Sequence, residues 1–329
     1  MLRLVVSGVL IVWLLRIADI SQIKTALAQA NLFFIGLVIL SSNADRVLMV
    51  YKWQLLLKAK QIHIPILDIF SAYYKASFLG TLFLPTVGAD AMRIFEVNQQ
   101  AKRLEDIISS VVIERVLGIL VIFLAGFFSF ALFTQYIDPG GSGNLATLLI
   151  ILALTVGLFI LSMKLGWLGW FRNRLPKWLP AFTVPFVEKF GKVVISYQGY
   201  SRHRKTLWIF FFWTLVEQLM PIASSYFTAK ALHLDVAFIT FVMFIPIIMI
   251  IIRLPISFDG FGVREGLYVY LFGLAGVPEA QAFLIGFVTS IMARFAIVPV
   301  ALYFMLVYDN GKEKLNRPEI QEPTLAVEE

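Results

Sequence analysis

Apolar runs near twenty residues long alternate with short polar segments along almost the whole chain. The runs predict membrane spans at Leu4–Ile20, Leu32–Tyr51, Ile107–Phe133, Ala146–Met163, Leu207–Thr228, Ala237–Ile252, Val263–Ala275 and Ala282–Tyr308. At a rise of about 1.5 Å per residue, roughly twenty apolar residues cross the hydrocarbon core of a bilayer. The first, sixth and seventh runs are short, and the seventh reads as a half-helix. Phe70 to Leu84 is also apolar, but Tyr73, Tyr74, Lys75 and Ser77 interrupt it; it reads as a segment that enters the membrane and turns back. The expected fold is all-α: a polytopic integral membrane protein with about eight transmembrane helices and two broken or re-entrant segments.

Both breaks are written in similar residues. One runs Leu84-Pro85-Thr86-Val87-Gly88-Ala89-Asp90-Ala91-Met92-Arg93, the other Leu254-Pro255-Ile256-Ser257-Phe258-Asp259-Gly260-Phe261-Gly262-Val263-Arg264-Glu265. Each sets Pro, Gly, Asp and Arg where a membrane helix ends or breaks. Broken backbone and charge both need partners inside a bilayer, so the breaks mark a site. Pro85, Gly88, Pro255, Gly260 and Gly262 are the candidate hinges. The order of Asp and Gly is reversed between the two strings, so their likeness does not establish an inverted repeat.

Composition agrees with the spans. Hydrophobic residues are 59% of the 329, charged residues 15%, and the mean hydropathy is +0.82, against about a quarter charged in soluble domains. There is no cysteine, which excludes disulfides and thiolate chemistry. His63, His203 and His233 share no ligand spacing, so neither metal nor cofactor is expected. The net charge of +7 raises nucleic acid as a partner, but the basic residues gather in particular loops instead. Lys52, Lys58, Lys60, Lys75, Arg93, Lys102 and Arg103 separate the second and third spans, and nine Lys and Arg residues between Lys164 and Lys205 separate the fourth and fifth. Gln135 to Leu145 has none. Positive charge marks the cytoplasmic side, which places both termini there, with residues 1–309 forming the membrane domain and 310–329 a disordered tail.

The N-terminus also has the outline of a signal peptide, with Ala26-Leu27-Ala28 as a cleavage site. Arg16 and Lys24 intervene, which favours an uncleaved first span. Between Leu165 and Thr206, Trp167, Trp170, Phe171, Trp178, Phe182 and Phe186 mix with basic residues. This segment reads as an aromatic anchor in the headgroup layer, with a surface gathering anionic lipid as the alternative.

Charges inside the spans are the candidate chemistry. Asp45 and Arg46 lie near the inner end of the second span, Glu114 and Arg115 inside the third, Glu217 in the fifth and Arg294 in the eighth. Each costs roughly 2.5–3.5 kcal/mol at the bilayer centre on insertion scales, so they imply either a polar cavity or buried ion pairs. An arginine fork grips phosphate through two parallel hydrogen bonds, which makes Arg93, Arg264 and Arg294 candidate headgroup ligands. Glu114, Glu217, Asp90, Asp259 and Glu265 balance that charge or exchange protons during a cycle.

At these residues the chain resembles a known family. The string from Leu84 to Arg93, then Ser110-Val111-Val112-Ile113-Glu114-Arg115-Val116-Leu117-Gly118, then Pro255 to Gly266 are similar, in order, to the signatures of the flippase-like membrane domain of lysylphosphatidylglycerol synthases and its stand-alone relatives. The resemblance spans about Leu4 to Tyr308. It implies a prokaryotic plasma-membrane protein that moves lipid or lipid-linked headgroups between leaflets, with two re-entrant segments around a cavity. By motif position it favours Asp90, Arg93, Glu114, Arg115, Arg264 and Glu265 as substrate-binding. The full synthases carry a soluble domain that transfers lysine from charged tRNA; here the chain ends soon after its last span, so lysyl transfer is not expected.

The first functional reading is therefore a flippase for an anionic phospholipid or lipid-linked glycan. Without a G-x-x-x-x-G-K-[ST] loop, transport is expected to run downhill or on an ion gradient. A membrane enzyme acting on lipid phosphate or lipid-linked sugar, and a scaffold for a glycosyltransferase or synthase partner, are the alternatives.

Overall fold

The computed structural model describes residues 25, 28–82, 87–136, 146, 149–150, 153, 156–157, 160–161, 184–254, 257 and 260–309. The expectations for the first span, the tail, Pro85, Pro255 and Asp259 lie outside these residues, as do most of those for the fourth span and the aromatic segment.

The helices are α1 (Leu32–Ala59), α2 (Ile66–Leu82), α3 (Val87–Ala101), α4 (Leu104–Tyr136), α5 (Val184–Gly199), α6 (Arg204–Glu217), α7 (Leu219–Ala231), α8 (Phe238–Ile251), α9 (Val263–Leu274) and α10 (Glu279–Tyr303). A 3-10 turn, Tyr200–Arg202, leads into α6, and a π turn, Phe304–Tyr308, follows α10. The chain is an all-α polytopic membrane protein: α1, α4, the α6–α7 pair and α10 with its π turn are each long and apolar enough to cross a bilayer.

Two expected spans turn out differently. The second does not end at Tyr51 but continues as helix to Ala59, which carries Lys52 into the interior, where it is 3% exposed. It is not a loop charge. The fifth is interrupted at Gln218. Pro221 lacks an N–H, and its ring collides with the carbonyl four residues back, that of Glu217, so the helix breaks where its one carboxylate sits. α8 and α9 have 14 and 12 residues, about 21 and 18 Å of helix. Each is too short to cross the core alone, which is about 30 Å thick.

α1 is the hub, packed on α2, α4, α6, α7 and α10. One apolar cluster joins α7 to α10 through Phe241, Phe244, Tyr268 and Phe272; another joins α1 to α4 through Trp53, Leu57, Ile69, Tyr73 and Val111. α2 and α3 pack on each other as a helical hairpin. The π turn after α10, with Asp309 next to it, holds that hairpin: Lys75 bridges Glu96 and Asp309, and the Tyr308 hydroxyl donates to Asp68 at 2.8 Å.

α9 and α10 meet where Gly286 faces the Tyr268 ring. A Cβ at Gly286 would lie 2.8–2.9 Å from two ring carbons. That ring cannot turn aside, because it stacks on Phe272 at 5.1 Å and its hydroxyl shares a 2.6 Å hydrogen bond with Ser225. Gly286→Ala is expected to destabilise the fold by about 1–3 kcal/mol through overpacking, read as a lowered thermal unfolding midpoint in detergent; an unchanged midpoint would show that the two helices are not held this closely.

Candidate functional site

The charged residues of α3 and α4 form one network. Arg93 donates from both terminal nitrogens to Glu114, at 2.9 and 3.1 Å, and its Nε donates to Asp90 at 3.1 Å. The guanidinium carbon lies 4.6 Å from the ring centres of both Trp53 and Tyr73. The Tyr73 hydroxyl donates to Glu114 at 2.9 Å, and Trp53 Nε1 donates to Ser110 at the same distance. Arg93 is 2% exposed and Glu114 8%. A fork already spent on a carboxylate and clasped by two rings has little left for a ligand, so the geometry gives Arg93 the part of an organiser rather than that of a headgroup grip.

Arg115 is placed differently. Its Nε and one terminal nitrogen donate to Asp90 at 2.9 and 2.7 Å, yet its side chain is 39% exposed. It opens onto a cavity of about 270 Å³ also lined by Arg46, Asp90, Arg93, Arg264 and Arg294. A second cavity of about 290 Å³ adjoins it, sharing Arg46, Met49, Arg264, Ser290 and Ala293. The second adds Asp45, Glu217 and Arg253.

Arg264 and Glu265 come from the second break. Gly260 and Gly262 have φ of 77° and 81°, a left-handed backbone open to glycine and strained for most other residues. The turn starts α9 abruptly, with Val263, Arg264 and Glu265 as its first residues. Glu265 reaches back to accept from the Gly262 N–H at 2.7 Å and is 2% exposed. This satisfies one of the donors a helix start leaves open. Ser290 of α10 accepts from Arg264 at 2.9 Å and donates to Glu265 at 3.2 Å. Arg294, one turn on, donates to the Ser290 carbonyl at 2.7 Å and covers the Phe261 ring at 3.9 Å.

Of the residues expected from sequence, Asp90, Arg93, Arg115, Arg264 and Arg294 meet at the first cavity, Glu114 stands behind Arg93, and Glu265 lies beneath Arg264. Glu217 faces the second cavity, ion-paired with Lys52 of α1; Thr214 accepts from the same ammonium at 3.2 Å. Gly88 lies in the first turn of α3. Sequence reasoning left Arg46, Lys52, Arg253 and Ser290 out of the site. Arg46 was visible as an intramembrane charge beside Asp45. Lys52 was hidden by its position one residue past the expected end of a span.

Chemically, among the described residues five guanidinium groups and one carboxylate, that of Asp90, line this small space. Such a space favours an anion with several acceptor oxygens, above all a phosphate. A polytopic helical bundle with a basic pocket among its helices places the chain in the class of multi-pass α-helical integral membrane proteins. Within that class, the family described as Lysylphosphatidylglycerol synthase TM region matches residues 1–301, and the chain belongs to it. A search of curated proteins returned no match.

Proposed function

We propose that this protein carries an anionic lipid, or a lipid-linked headgroup, between the leaflets of a prokaryotic plasma membrane. The observation that supports this reading is the arginine-lined cavity between α1, α2, α3, α4, α9 and α10. In hydrocarbon, a cluster of like charges is costly unless it serves a polar passenger. On this reading the α2–α3 hairpin and the short α8–α9 pair are re-entrant elements that bring polar side chains and helix starts to the membrane interior, as transporters do with broken helices. The basic loops set both termini in the cytoplasm, and the cavity receives its headgroup from the inner leaflet. Arg115, Arg264 and Arg294 grip the phosphate; Asp90 and Glu265 orient two of those forks; Arg93 and Glu114 hold the frame.

The test is a structure of the purified protein in nanodiscs of phosphatidylglycerol. Headgroup density within hydrogen-bond reach of Arg115 and Arg264 is expected. A cavity filled by water alone in an anionic bilayer would count against the reading.

A further inference from the structure

The second cavity differs from the first in its chemistry. Ser41, Ser42, Ser224, Ser225, Tyr268 and Thr289 bring hydroxyls to it from α1, α7, α9 and α10. Several of these have already used their protons. Ser41 donates to the Leu37 and Val38 carbonyls at 2.9 and 3.0 Å, Ser42 to that of Val38 at 2.8 Å, and Thr289 to Thr228 at 2.9 Å. A hydroxyl carries one donor and two acceptor lone pairs, so these three remain as acceptors. Ser224 is different. It is 5% exposed, and its Oγ is buried without a hydrogen-bond partner. Arg46, which lines both cavities, has a buried Nε that is likewise unpartnered. Buried polar atoms nearly always have a partner. Two such donors on one cavity mark a place for a ligand oxygen.

Charge decides which ligand fits. The guanidiniums of Arg46, Arg253 and Arg264 line this cavity with the carboxylates of Asp45 and Glu217. Glu217 is already paired with Lys52, and Asp45 lies 3.8 Å from Arg46. An ammonium group would meet a surplus of positive charge at short range. A second anion would meet two carboxylates that the first cavity does not contain. An apolar group would leave the buried donors unsatisfied. An uncharged polyol suits both sides of the account, since each of its hydroxyls donates once and accepts twice. The cavities share Arg46 and Arg264, so a phosphate held in the first sets the alcohol it esterifies at the second. We infer that the second cavity is a polyol subsite for the headgroup. It takes a glycerol or a single sugar ring attached to the phosphate, with Ser224 and Arg46 donating to its oxygens and Ser41, Ser42 and Thr289 accepting from its hydroxyls. This inference rests on the proposed phosphate cavity and adds to it the means by which one anionic headgroup is told from another.

The test is a lipid titration of the purified full-length protein, read by native mass spectrometry. Phosphatidylglycerol and phosphatidylinositol are compared with phosphatidylethanol, which has the same phosphodiester charge but no hydroxyl, and with phosphatidylethanolamine and phosphatidylcholine. At least one of the two polyol lipids is expected to bind roughly tenfold or more tighter than phosphatidylethanol, since each of two hydrogen bonds contributes about a factor of five. The tighter of the two tells glycerol from sugar. Ser224→Ala cuts that preference about fivefold and leaves phosphatidylethanol binding and the unfolding midpoint unchanged, because the hydroxyl it removes holds no partner in the fold. Thr289→Val, of similar shape, cuts the preference by a comparable factor. Arg115→Ala, in the first cavity alone, weakens all the anionic lipids together and keeps their ratio. Polyol lipids and phosphatidylethanol binding alike, both above phosphatidylcholine, would overturn the subsite and leave the phosphate cavity standing. Anionic lipids binding no better than phosphatidylcholine would overturn the phosphate cavity and the subsite with it. Phosphatidylethanolamine matching the polyol lipids, or a midpoint lowered by Ser224→Ala, would also overturn the inference.

Discussion

Arg93→Ala is expected to prevent the protein from folding, not merely to silence it. The substitution strips Glu114 of both its bidentate bonds and leaves a carboxylate 8% exposed among Trp53, Tyr73 and Ile113. Breaking a buried pair by removing one partner costs about 3–5 kcal/mol, because the remaining charge is uncompensated. The space between the two rings also empties. A sequence-based view of Arg93 as a headgroup ligand makes the opposite prediction: a protein that inserts and folds but does not transport. The two separate cleanly in a thermal unfolding series. Arg93→Ala should lose its cooperative transition or shift it down strongly, and Arg93→Met combined with Glu114→Met should recover much of the loss, since an apolar pair of similar volume replaces both charges. An Arg93→Ala protein with a wild-type midpoint would return Arg93 to the list of ligands.

The second large effect is on transport. Arg264 is the second residue of α9, a position where a cation opposes the helix dipole, so its removal should cost the fold little. It faces both cavities, and one of its terminal nitrogens donates to Ser290. A charge-assisted hydrogen bond contributes about 1.5–3 kcal/mol, so Arg264→Ala should slow leaflet exchange of an anionic lipid by roughly 10- to 100-fold with the unfolding midpoint nearly kept. Arg264→Lys restores the charge but not the planar fork, and should recover only part of the rate. Full exchange by Arg264→Ala in proteoliposomes would remove this residue from the path.

Much of the fold was legible because membrane spans are long and composition alone finds them. Leu32, Leu104, Arg204 and Glu279 begin four helices that the apolar runs locate within a few residues. The second break was legible as a turn, because Gly260 and Gly262 supply the positive φ that starts α9. What hydropathy does not reveal is which side of a helix a charge faces, or how far a helix runs past the apolar core. Lys52 sits just beyond an apolar run and looks like a loop cation; only the continuation of α1 and the packing of α6 against it bring it to Glu217. Arg93 and Arg115 look equivalent in sequence, each within three residues of an acid. Packing separates them: α3 drives Arg93 between the Trp53 and Tyr73 rings, while Arg115 keeps its fork at the cavity edge. The meeting of Arg46 with Arg115, Arg264 and Arg294 comes from four different helices, a juxtaposition that no local string encodes.

The central claim, that the basic cavity moves anionic lipid headgroups across the membrane, is tested most directly by leaflet exchange with the purified wild-type protein. Proteoliposomes carrying a fluorescent phosphatidylglycerol analogue are treated with an impermeant quencher and compared with protein-free vesicles. The account predicts that the protected inner-leaflet fraction becomes quenchable when the protein is present, faster for phosphatidylglycerol than for phosphatidylcholine and slowed by Arg264→Ala. Exchange no faster than in protein-free vesicles, with or without an ion gradient, would contradict it.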